Sequence, residues 1–265
     1  MLKIRITLIA TIFLFVLIAC KKNETTSNEN PQLLQKIIYS EGDSILYTFF
    51  KYDDKNRLIA LTDSNNNGHK WETLVQYNLQ SQPVKIQVLY QNSPGASFIE
   101  WSDSLIYNSD NKVIKKLLNT YTPNAYRIKD TYNYDVQGRI IADTMYTYGS
   151  ENVYGFTSFI YDGNDNITQW QSYNNSSGTM QAGAVIIATY NTSINPYINL
   201  GLLTYFIRGE NSLLSGHNYL QVKYYDGTKI DYSYQYYSNG LPQKVVLIDS
   251  RGGPFSTDTI EFFYN

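Results

Sequence analysis

Sulfur and imidazole are nearly missing from this sequence. It holds one Cys, two His and three Met in 265 residues. A single Cys excludes a disulfide framework, and two His with one Cys exclude a Cys/His zinc finger and an H-E-x-x-H site. Charged residues make up only 17% and the formal net charge is −2. The basic surface that a nucleic-acid partner requires is therefore lacking. No G-x-S-x-G elbow, Walker loop or G-x-G-x-x-G fingerprint occurs. No cofactor is implied, no catalytic residue stands out, and the sequence points away from an enzyme. Tyr, in contrast, is abundant, with 26 residues in a chain that is 15% aromatic. Disordered chains are poor in aromatics and rich in charge, so this chain folds.

The single Cys has a defined setting. Residues 1–19 begin with Lys3 and Arg5, run apolar from Ile6 to Ala19, and end against Cys20. About fourteen apolar residues suit a signal-peptide core and fall short of the ~20 that a transmembrane helix needs. Leu17-Ile18-Ala19-Cys20 resembles the lipobox of bacterial lipoproteins, in which the Cys becomes the lipidated N-terminus. More than one acyl chain on Cys20 would anchor the protein stably. Residues 20–36 are polar and contain Pro31, which reads as a flexible tether. The expected organisation is a signal peptide over 1–19, a lipidated tether over 20–36 and one domain over 37–265. The expected location is the outer membrane, held by lipid. Lys21, Lys22 and Asn23 follow Cys20 where a surface-export signal would place acids, so the membrane face stays open.

A repeat runs through the domain. Tyr, then Asp or Asn, then polar residues, then a basic or amide residue and an aliphatic recur. The copies begin at Tyr52, Tyr107, Tyr134 and Tyr161, with looser ones at Tyr77, Tyr190 and Tyr237. Asp, Asn and Gly favour turns because their side chains cap backbone amides or they tolerate positive φ. The flanks alternate with period two. Val84, Ile86, Val88 and Tyr90 share one parity, Lys85, Gln87 and Gln91 the other. Each unit of about 27 residues reads as a hairpin, and Asp226-Gly227 marks another. The fold class expected is all-β, an antiparallel meander of about twelve to fourteen strands. It is curled into a barrel-like or half-barrel sheet so that few edges stay exposed. A stretch near 191–219 breaks the alternation and reads as a short helical insertion that closes the core.

The Y-D-x-x-G-R pattern resembles the YD repeats of Rhs-type proteins, although the copies are too few for one of their long shells. A closer resemblance spans 33–265. It opens on Leu33-Leu34-Gln35-Lys36-Ile37, passes through Asn195-Pro196-Tyr197, and closes on Tyr237-Ser238-Asn239-Gly240-Leu241-Pro242. It looks like a Bacteroidetes lipoprotein family of unknown function with a porin-like β fold. The resemblance implies a barrel-like domain on a lipid tether and no assigned activity.

Candidate sites are sparse. Trp71, Trp101 and Trp170 could stack on sugar rings if exposed. Asp63, Asn65 and Asn67 fit the first half of an EF-hand-type loop, but Leu74 stands where its last ligand, Glu, belongs. Asp162, Asn164 and Asn166 show the same half-pattern within a repeat turn. His69 and His217 lie in stretches that read as loops. Asp43-Ser44-Ile45, Asp103-Ser104-Leu105, Asp143-Thr144-Met145 and Asp258-Thr259-Ile260 resemble sites of Bacteroidetes O-glycosylation. The reading that follows is an envelope lipoprotein acting as a non-enzymatic binding or scaffold module, its partner a glycan or a protein. The alternatives are a carboxylate-dependent hydrolase of glycans and a pore-like barrel.

Overall fold

The computed structural model describes residues 32–91, 97–120, 128–147, 152–176, 178–251 and 256–265. The expected signal peptide, the expected lipid attachment at Cys20 and the expected tether up to residue 31 lie outside the described residues. Sixteen antiparallel strands follow one another round a closed barrel. The first eight are β1 (Leu34–Glu41), β2 (Ser44–Tyr52), β3 (Leu58–Asn65), β4 (Lys70–Tyr77), β5 (Pro83–Gln91), β6 (Ser97–Tyr107), β7 (Val113–Thr120) and β8 (Ile128–Tyr134). The second eight are β9 (Ile140–Thr147), β10 (Val153–Tyr161), β11 (Ile167–Ser176), β12 (Thr179–Ile194), β13 (His217–Lys223), β14 (Lys229–Tyr236), β15 (Pro242–Asp249) and β16 (Ser256–Tyr264). The sheet closes by pairing β1 with β16, and Leu33 and Asn265 exchange hydrogen bonds at the seam. The meander expected from the Tyr repeats is therefore a complete barrel. It starts earlier than residue 37, because Leu33 and Leu34 are already buried.

The repeat motif builds one end of the barrel. In the units at Tyr52, Tyr77, Tyr107, Tyr134 and Tyr161 the Tyr ends an even-numbered strand and the next residue, Asp or Asn, opens a three-residue turn. Asp53 Oδ1 accepts from the amides of Lys55 and Arg57. The following αL position is Asn56 at φ 59° or Gly138 at φ 87°, as a type I turn with a bulge requires. The Tyr hydroxyl then donates to the carbonyl of the first residue of the preceding strand. Tyr52 reaches Leu34, Tyr77 reaches Leu58, Tyr107 reaches Pro83 and Tyr134 reaches Val113, at 2.7–2.8 Å. Tyr161 reaches Ile140 and Tyr190 reaches Ile167 in the same way. Successive turns are tied by cations on rings: the Arg57 guanidinium lies 4.5 Å from the Tyr77 ring centre and Arg139 4.6 Å from Tyr161.

Each hydroxyl satisfies a carbonyl that the adjoining bulge has taken out of the ladder, which is worth about 1 kcal/mol. Tyr134→Phe is expected to cost about 1–2 kcal/mol, because the Val113 carbonyl would lose that donor at a buried residue. Urea unfolding measures it. Unchanged stability would mean that ring packing alone matters.

The barrel is filled. Leu58, Leu61, Ile86, Val113, Ile140 and Ile167 face inward and are almost fully buried. The long connection between β12 and β13 supplies what they pack against. It contains 3₁₀ turns at Ile198–Leu200 and Asn211–Leu214, and a helix, α1 (Leu202–Arg208). The expected helical insertion is thus present, shorter than 191–219 because β12 runs on to Ile194. It plugs the lumen and does not merely cap an end. Tyr205 and Phe206 of α1 pack on Tyr132 of β8, and Tyr205 also meets Phe159 of β10. At the end of the same helix Arg208 pairs with Asp63 of β3, on the opposite wall.

Candidate functional site

Between the plug and the wall lie two polar regions, a cavity of about 720 Å³ lined by Arg57, Tyr77, Lys112, Tyr134 and Phe206, and an aromatic chamber. The first polar region lies under α1. Strand alternation turns Asp103, Lys116, Asp130 and Asp143 inward from four consecutive strands. Lys116 Nζ lies 3.0 Å from Asp130 Oδ2, and the Tyr205 hydroxyl donates to Asp143 Oδ2 at 2.7 Å. One carboxylate oxygen each of Asp103 and Asp143 is buried without a hydrogen-bond partner. Burial, reinforced by the nearby Asp130 carboxylate, pushes the pKa values of both Asp103 and Asp143 up to about 6. Burial alone would depress the Lys116 ammonium, but Asp130 and Asp103 outweigh it and hold it above the ordinary lysine value.

These shifts fix a pH dependence. The folded chain holds protons on Asp103 and Asp143 up to about pH 6, whereas an unfolded Asp gives them up near 3.8. Their ionisation therefore opposes folding above pH 6, and the opposition fades as pH falls toward 4. Stability is expected to rise by about 1–3 kcal/mol from pH 7.5 to pH 5. Thermal or urea melts across that range check it; a monotonic loss on acidification would contradict it.

The second polar region joins α1 to β2 and β3. Arg208 donates to Asp63 Oδ1 at 2.8 Å, and Thr48 Oγ1 donates to the same oxygen. A cavity of about 280 Å³ adjoins it, lined by Tyr39, Thr48, Arg208, Glu210 and apolar residues of β1–β3. The Tyr39 hydroxyl donates to Asp258 there at 2.8 Å. Glu210 also borders the aromatic chamber, of about 430 Å³, between the plug and β11–β16. That chamber is walled by Trp170, Tyr197, Tyr219, Tyr232 and Tyr234, together with Val245 and Phe262. Tyr219 and Tyr232 lie 5.6 Å apart between ring centres and Trp170 and Tyr219 6.5 Å. Apolar walls with a few convergent polar groups and this volume are the marks of a small-ligand pocket.

The tryptophans named from sequence are not brought together. Trp170, buried on β11, is the one that lines the chamber. Trp71 packs on Tyr90 at 5.3 Å and beside His69, whose Nδ1 is hydrogen-bonded to the Tyr90 hydroxyl. Trp101 pairs with Val88 across β5–β6. The half-loop at Asp63, Asn65 and Asn67 does not converge on one point. Asp63 turns inward to Arg208, while Asn65 Oδ1 accepts from the amides of Asn67 and His69 to make the turn. Asp162 likewise caps its own turn. No group of three metal-ligating side chains occurs among the described residues. His217 opens β13 and bonds Asn166, so it is a strand residue where a loop was expected. The Asp of three Asp-Ser/Thr triplets, at 103, 143 and 258, faces the lumen, which leaves Ser104, Thr144 and Thr259 on the outer surface. The sequence missed the acid cluster, whose members are isolated polar residues on separate strands. The available signal was an Asp at the parity of apolar neighbours, as Asp103 is with Leu105.

No family model and no curated protein matches the chain. Solved structures do. The likeness is to porin-like barrels. A porin-like protein from Bacteroides uniformis superposes with a TM-score of 0.60 at 11% identity, covering 88% of this chain and 98% of that one. A porin-like protein from Bacteroides vulgatus gives 0.55 at 10% identity, covering 88% and 99%. At such identities the shared property is the fold, and the porin-like barrel expected from the sequence is the fold observed.

Proposed function

We propose that this chain is a lipid-anchored protein of the outer membrane whose barrel is a non-enzymatic binding module. The chamber holds a small ligand or the end of a glycan. One observation carries the reading: an aromatic-walled cavity of ligand size, built by the barrel wall on one side and the plug on the other. The Cys20 lipobox supplies the anchor, and Ala19-Cys20 marks where processing would occur.

The outer face supports a barrel in water. A bilayer-spanning barrel carries an apolar outward band about 25 Å tall. Here β4 turns Lys70, Glu72 and Gln76 outward, β5 turns Lys85 and Gln87, and β14 turns Lys229, Asp231, Ser233 and Gln235. Exposed apolar residues such as Phe49, Ile106, Ile114, Ile160 and Ile248 lie on other strands. A closed barrel is also the shape of a channel, and conductance across a planar bilayer tests that alternative. The hydrolase alternative has the two carboxyls raised to about 6 in its favour. Those groups, however, line none of the cavities described above.

Titrating the full chain with neutral oligosaccharides and small amphiphiles should change Trp emission saturably. The change should vanish when Tyr232 and Tyr234 are both replaced by Ala. A flat response to every class, or one that the double variant leaves intact, sinks the binding reading.

A further inference from the structure

The outer face carries both signs, with Lys229 paired to Asp231 and Lys244 to Glu261, whereas acids outnumber bases inside. Lys51, Lys85, Lys115, Lys223 and Lys244 point outward by strand parity. Asp63, Asp103, Asp130, Asp143, Glu210 and Asp258 face the lumen, opposed there by Lys116 and Arg208. Those two bases are already engaged, Lys116 by Asp130 and Arg208 by Asp63. The lumen is therefore a negative interior, and low-dielectric walls concentrate such a field. Within the aromatic chamber the lining includes one carboxylate, Glu210, and no Lys or Arg. The hydroxyls of Tyr197, Tyr232 and Tyr234 make no hydrogen bond to protein among the described residues. Their rings meet neighbouring rings and the cavity.

From this, and resting on the binding reading above, we infer that the chamber selects an organic cation: an ammonium group on a compact apolar body. The electron-rich faces of Tyr and Trp attract such a cation. Glu210, which borders the chamber and lies within electrostatic reach of Arg208, supplies the opposite charge. The apolar walls take the methyl or methylene groups. An anionic ligand would meet the acids without a free base to hold it. A neutral ligand would gain the walls alone.

The test is calorimetric titration of the full chain with choline and with its uncharged isostere 3,3-dimethylbutan-1-ol. Choline should bind about tenfold tighter or more, the margin that ring and carboxylate contacts together provide. Glu210→Gln, which keeps shape and removes charge, should lower choline affinity about fivefold or more and leave the isostere unchanged. Tyr232→Leu should weaken choline more than the isostere. Equal binding of the two probes overturns the cation inference while leaving a binding chamber in place. Absence of choline binding in a chain that binds a neutral oligosaccharide overturns it in the same way. If no probe of any class binds, the binding reading falls with it.

Discussion

A Lys116→Met chain is expected to lose about 3–5 kcal/mol of stability at pH 7.5 and to regain much of it near pH 5. Lys116 is the cation among three inward carboxylates, 3.0 Å from Asp130 and within electrostatic reach of Asp103 and Asp143. The side chains of Lys116 and Asp130 are only 20% and 12% exposed. Methionine fills the volume and removes the charge. The carboxylates are then left to repel one another in a poorly solvated interior, where removing one partner of a buried pair is costly. Acid offers a release, because two of the three already protonate near pH 6. Urea unfolding at the two pH values measures the effect. Equal stability of the variant and the parent at pH 7.5 would show that Lys116 does not balance the cluster. Adding Asp130→Asn to the variant should recover part of the loss at pH 7.5.

Phe206→Ala should cost about 3–5 kcal/mol. Phe206 is 3% exposed and packs against Tyr132 at 5.1 Å and Tyr205 at 6.1 Å. A barrel of this girth cannot bring its own walls together, so the side chains on the plug complete its core. Truncating one leaves a cavity that neither wall can collapse to fill. Ile114→Ala on the outside of β7, where the side chain is exposed, should cost less than about 0.5 kcal/mol. Similar losses at the two positions would mean that the helix does not hold the interior together.

How much of this was legible in the sequence depended on how local the cause was. The Tyr turns were readable because a capping Asp or Asn, an αL position and an aliphatic strand start lie within seven residues, as in Tyr134 to Ile140. What the Tyr hydroxyl binds was not readable, since the Val113 carbonyl lies 21 residues back. Strand number was underestimated where alternation fails. β12 runs through Gln181-Ala-Gly-Ala-Val-Ile-Ile-Ala-Thr-Tyr190, in which polar and apolar residues do not alternate. The insertion was recognisable as non-strand by its apolar Leu200, Leu202, Leu203 and Phe206. Its place inside the lumen was not, because an apolar face does not say which surface covers it. The chamber was least legible. Trp170 was visible as a candidate, but Tyr197, Glu210 and Tyr232 become neighbours only when the plug folds back between β11 and β16.

The central claim is that this barrel folds in water, without a bilayer, around a ligand-sized chamber. Sedimentation of the chain without residues 1–20, in buffer free of detergent, tests it most directly. The account predicts a single folded species with a cooperative unfolding transition and no need for detergent. Aggregation relieved only by detergent or lipid, together with a conductance in planar bilayers, would contradict it.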